Sequence, residues 1–233
     1  MIDVVKNNYD VYSSQIQGPM LSCDIVETKP NAKFRCLSVH NSNKAKMYFF
    51  PTEYIESIER TTTKVSTKLQ DSNCDGTIFL YAEDATMHII MCELKSCQPG
   101  ARLSDAFKQL VYSFLKYYSL FSICEGWHIA NYSLDLVLAC SCAKNHKDLE
   151  AEMLSAQNDL DTLGEGEGPQ DFSVGIFTKL YLAKNHTLQL SFSDLRMLED
   201  FKLNEHIKNK SFALHLATTA NFGEDNAQIT FDY

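Results

Sequence analysis

Two apolar runs facing each other across a short polar break constrain this chain most. The first is Thr77-Ile78-Phe79-Leu80-Tyr81. The second is Met87-His88-Ile89-Ile90-Met91-Cys92, with Glu83, Asp84 and Ala85 between them. Short runs rich in β-branched and aromatic residues, bounded by turn formers, read as strands. The second is apolar on both faces apart from His88, the pattern of a central strand covered on both sides. A hairpin turning about Asp84 sets Asp75 opposite Glu93, their Cβ atoms about 5 Å apart. Two carboxylates that close repel unless a cation lies between them. Lys95 follows Glu93 at the period of two that keeps side chains on one strand face. Charges at the end of a buried strand are costly unless paired or bound to metal. Two carboxylates and an ammonium there are the parts of a magnesium-dependent site that cleaves phosphodiesters. The plain alternative is an ion pair at the sheet rim, Lys95 with Glu93 or Asp75.

Asp75, Glu93 and Lys95 resemble the D…ExK signature of the PD-(D/E)xK nuclease superfamily, the restriction-endonuclease-like fold. Cys74 stands where the motif's proline would. A helix is expected next, from about Arg102 to Tyr118. Its Gln109-Leu110-Val111-Tyr112 resembles the Gln…Tyr element of the RecB-like branch, with one residue fewer between the two. The resemblance runs from about Asn73 to Ser141. It implies an α/β fold, a mixed central sheet flanked by helices with a restriction-endonuclease-like core, to which the last third of the chain is expected to add C-terminal strands. It also implies Mg²⁺ or Mn²⁺ held by Asp75, Glu93 and the backbone carbonyl of Leu94. Lys95 would position the attacking water. Gln109 and Tyr112, three apart on one helix face, would orient substrate or pack at the core edge. Arg102 and Lys108 would meet its phosphates. A further acid on a preceding helix would be Glu56 or Glu59; the plain reading of each is a solvated glutamate.

A second Glu-x-Lys, Glu27-Thr28-Lys29, is followed by Pro30 in a polar stretch and reads as a loop outside the site. Among 233 residues, roughly one chance Glu-x-Lys is expected. The net charge of −9 argues against an unspecialised nucleic-acid binder. Yet the charge is uneven. Residues 145–172 hold eight acids and one base, whereas 94–120 hold four bases and one acid. Nucleic acid, DNA ahead of RNA, would approach the second stretch, and the acidic one would serve a protein partner or a homodimer contact. No apolar run reaches the roughly 18 residues that span a membrane. With no leading apolar signal and cysteines scattered through apolar runs, a reduced cytoplasmic setting is expected. Cys140-Ser141-Cys142 is too tightly spaced, and lacks the second pair, for a zinc site.

The length suits one nuclease-like domain over 1–233. Its core is about 45–142, followed by an acidic helix and flexible loop at 145–172 and a strand-rich extension at 173–233. Phe34–Val39 and Ala45–Phe50 suggest a hairpin, with a short helix from Pro51. Leu134–Cys140 suggests a strand parallel to the one ending at Glu93. Phe177–Ala183 and Thr187–Phe192 suggest a second hairpin, and Ser211–Thr218 a last strand. His186, His206 and His215 are spaced for neither metal nor general-base work. The expected function is a metal-dependent nuclease of restriction, repair or anti-phage defence. The alternatives are a nuclease-fold binding or scaffolding subunit that does not cleave, and an acidic immunity-like partner.

Overall fold

The computed structural model describes residues 16–43, 45–54, 56, 73–81, 87–95, 101–122, 124, 127–128, 131–141, 176, 179–181, 183–198, 201–221 and 223–233. The side chains of 101–104, 184 and 196 are excepted. The strands in chain order are β1 (Gln17–Met20), β2 (Ser22–Val26), β3 (Cys36–Asn41), β4 (Lys46–Pro51), β5 (Gly76–Tyr81) and β6 (Met87–Lys95). Then follow α1 (Ala101–Phe121), β7 (Tyr132–Cys140), β8 (Thr187–Ser191), a one-turn helix α2 (Glu205–Lys208), β9 (Ser211–Thr218) and β10 (Asn226–Phe231).

Seven strands form one mixed sheet in the order β1-β4-β5-β6-β7-β9-β8. β6, β7 and β9 run parallel, and the other neighbours are antiparallel. The β5–β6 register pairs Gly76 with Cys92, Thr77 with Met91 and Ile78 with Ile90. A turn centred on Asp84 requires this register, and one further step brings Asp75 level with Glu93. The parallel β6–β7 pair, which sets Cys92 against Val137 and Lys95 against Cys140, encloses α1 as its crossover. Parallel neighbours need such a connection because a tight turn cannot join them.

β6 is buried on both faces because it has two covers. Ile89 and Met91 pack with Phe107, Leu110, Val111 and Phe114 of α1. Ile90, Cys92 and Leu94 pack on the other side with Ile25, Leu37 and Val39. That second cover is a small sheet in the order β10-β3-β2. The molecule is thus mixed α/β, with a large mixed sheet between one long helix and a small sheet.

Two expected hairpins do not form. β3 and β4 belong to different sheets, because the chain crosses from one layer to the other between them. β8 pairs with β9, while residues 179–181 are helical. Thr52–Tyr54 begin a helix as expected, and Thr52 Oγ1 donates to the Cys74 carbonyl at 2.8 Å. Glu56 is helical; Glu59, the acidic 145–172 stretch and Cys142 lie outside the described residues. Among the described residues no helix is long and apolar enough to cross a membrane.

Candidate active site

The site lies where β5 begins and β6 ends. Strand alternation turns Glu93 and Lys95 toward the face that α1 covers. Asp75 is fixed by the Leu94 backbone N–H, which donates to its Oδ2 at 2.7 Å. Lys95 Nζ donates to Glu93 Oε1 and, at 2.8 Å, to Gln109 Oε1 on α1. Gln109 in turn donates through Nε2 to the Asn73 carbonyl at 3.2 Å.

Two further residues of α1 hold the strand entry. Ser113 Oγ accepts the Cys74 N–H at 2.7 Å, and Lys116 Nζ donates to Asn73 Oδ1 at 2.6 Å. Positions 109, 113 and 116 share one helix face at spacings of four and three. They form a polar line beside the apolar stripe. The segment that carries Asp75 is therefore pinned from the helix at three points.

Glu93 is 1 % exposed, and its Oε2 has no hydrogen-bond partner among the described residues. Burial, and next the neighbouring Asp75 carboxylate, push its carboxyl up from an ordinary 4.5 to about 8, against the opposing pull of Lys95. Burial also raises Asp75, offset in part by the Leu94 N–H. One ammonium does not compensate two carboxylates taken out of water. The unmet oxygen and the two raised acids suit a hard cation with oxygen ligands. Asp75 and Glu93 supply two carboxylates, and the Leu94 carbonyl is the third donor that the nuclease resemblance implies. No cluster of three or more His, Cys, Asp or Glu side chains is grouped for a metal among the described residues.

The other expected residues are placed as follows. Tyr112 turns its ring to Phe201, with centroids 5.8 Å apart, while Gln109 faces Lys95. Lys108 lies at the surface, 3.9 Å from Asp105. Arg102 is on α1, with its side chain outside the described residues.

Sequence reasoning missed the loop after β2. Glu27 and Lys29 lie within electrostatic reach of this site: Lys29 acts on Asp75 and Glu93, and Glu27 acts on Asp75 and Lys95. The Glu-x-Lys set aside as a loop is thus beside the one in the strand. Its spacing carried no signal, because proximity here depends on how the small sheet packs. No family model, curated protein or solved structure matches the chain.

Proposed function

We propose that the chain is a metal-dependent nuclease that hydrolyses phosphodiester bonds, of DNA ahead of RNA, on a restriction-endonuclease-like core. The observation that carries this reading is the Glu93 carboxylate, buried beside Asp75 with one oxygen unpartnered among the described residues. Asp75 and Glu93, with the Leu94 carbonyl, would hold Mg²⁺ or Mn²⁺. Bound there, the ion would lower the pKa of a water molecule and neutralise charge on the phosphate oxygens.

The chain's own residues supply position and charge. The Leu94 N–H holds the Asp75 carboxylate at the strand end through Oδ2. Lys95 uses two of its three N–H donors on Glu93 and Gln109 among the described residues, and the third would orient the attacking water. Gln109 holds that ammonium against the strand end, and its own amide is tied to Asn73. Lys95 also adds positive charge where the transition state gathers negative charge.

A second reading is a nuclease-like subunit that binds without cutting. The Glu93–Lys95 ion pair favours it, since a closed pair is also what a purely structural site would contain. Pure protein incubated with mixed DNA and RNA in Mg²⁺, Mn²⁺ or EDTA separates the two. Cleavage that EDTA abolishes supports the nuclease. Intact substrate in every metal supports the binding subunit.

A further inference from the structure

The Glu27–Lys29 turn is built, and its place is set by a glycine. A Cβ at Gly76 would meet Ile25 Cδ1 at 3.1 Å and Phe49 Cε2 at 2.7 Å. Only the bare backbone next to Asp75 lets Ile25 of β2 come so close. Two residues beyond Ile25, the chain turns. Glu27 Oε1 accepts the Lys29 N–H at 2.9 Å, and its Oε2 accepts Lys29 Nζ at 3.2 Å. The Glu27 N–H donates to the Arg35 carbonyl, and Arg35 Nη2 donates to the Pro30 carbonyl. The Glu27 side chain is 11 % exposed and that of Lys29 76 %. Burial opposes charge on Glu27, but the bonds from Lys29 outweigh it and keep the carboxyl below its ordinary range. The turn thus holds an anchored anion at its base and a solvent-facing cation at its tip.

We propose that this turn is the second wall of the active site, and that Lys29 binds a phosphate of the nucleic-acid backbone next to the bond that is cut. The proposal rests on the nuclease reading. Its ground is the charge balance. Glu27, Asp75 and Glu93 are three carboxylates within reach of two ammoniums, Lys29 and Lys95. A divalent ion turns that deficit into a surplus, which suits the single negative charge of a phosphodiester. Lys95 is engaged by Glu93 and Gln109, so the exposed Lys29 is the cation able to swing to the substrate. Its compact ammonium on a flexible stem recognises phosphate as a point charge.

The test is steady-state cleavage of a labelled oligonucleotide in Mg²⁺ over a series of salt concentrations, for wild type, Lys29→Ala and Lys29→Arg. Lys29→Ala should raise KM about fivefold with kcat nearly unchanged, the size of one partly exposed charge contact. It should also lower the slope of log affinity against log salt by about one, because one phosphate contact is lost. Lys29→Arg should restore both. Active Lys29→Ala with unchanged KM and salt slope overturns this proposal and leaves the nuclease reading standing. Wild-type protein that cuts nothing with any divalent ion overturns the nuclease reading, and this proposal with it.

Discussion

Two acids lie buried in neighbouring strands of the large sheet, and they are treated differently. Asp135 on β7 has both oxygens occupied. His215 Nε2 lies 2.8 Å from Oδ1, and the Tyr233 hydroxyl donates to Oδ2 at 2.6 Å. The surrounding groups are also engaged: His215 Nδ1 is 3.1 Å from Thr187 Oγ1, and the Tyr233 ring stacks on His88 at 3.6 Å. Glu93 on β6 shares one oxygen with Lys95 and, among the described residues, leaves the other unmet. Satisfied buried networks stabilise a fold, whereas a half-satisfied one is unfavourable unless something else completes it. The contrast separates an acid whose oxygens are both met within the fold from one that, on the nuclease proposal, would be completed by a metal ion. His215 was set aside in the sequence as ordinary. Its position opposite Val137 in the β7–β9 ladder, near Asp135, gives it a structural task.

The largest effect is expected on the structural side. Asp135→Ala leaves His215 and Tyr233 without their shared acceptor and opens a cavity. Stability should fall by about 3 kcal/mol or more, read from urea unfolding. A loss under about 1 kcal/mol would make the two acids alike and break the comparison.

Lys95→Ala is the matching change at the other acid. Glu93 can answer the loss of its cation by holding a proton, because its carboxyl already lies near 8. Stability should therefore fall by less than at Asp135. Cleavage should fall by roughly 10²-fold, through lost water positioning and charge stabilisation. A melting shift on adding Mg²⁺ should survive, since both carboxylates remain. Retained cleavage with a strongly lowered melting temperature would show Lys95 to be half of a structural pair.

The sequence made the β5–β6 hairpin legible because both of its strands are local. The apolar runs on either side of Asp84 fix the register by their own symmetry, and Thr77 opposite Met91 follows from it. α1 and β7 were legible for the same reason: strong periodicity and a short crossover. What was hidden depends on distant pairing. β10 lies beside β3, with Asn226 opposite Cys36. No local pattern announces a parallel pair so far apart in the chain. The misread β3–β4 hairpin and the neglected Glu27 and Lys29 both come from that small sheet. Ser113 and Lys116 were hidden differently. They read as interruptions of an apolar stripe, and only the fold shows that they grip the residues before Asp75.

Glu93→Gln sharpens the comparison through pH. The folded carboxyl is raised from 4.5 to about 8, so the folded state binds its proton more tightly than the unfolded chain. Without divalent ions that contribution is fully present below about pH 4.5 and is lost as pH rises through about 8. Wild type should thus lose stability across this window, and Mg²⁺ should restore more of it at pH 8 than at pH 6. Glu93→Gln should flatten the profile and gain about 1–2 kcal/mol at pH 8 without metal. It should also lose most of the Mg²⁺ response. A wild-type profile already flat between pH 5 and 8 would mean that Glu93 is ionised and compensated, like any satisfied acid.

The smallest effect is expected at Gly76, where the small sheet touches the site. An alanine there must displace the Phe49 ring or the end of Ile25. Overpacking of that kind costs about 1 kcal/mol when flexible side chains can yield. The Mg²⁺ melting shift should stay near wild type, because the Leu94 backbone N–H still holds Asp75. What should move is the Glu27–Lys29 turn, carried by the same β2 that Ile25 anchors. Gly76→Ala should therefore raise KM for the oligonucleotide by less than Lys29→Ala does. In the double variant the two effects should not add, since the second change acts on a contact the first has already removed. Full additivity would show that the small sheet reaches the substrate by some route other than Lys29.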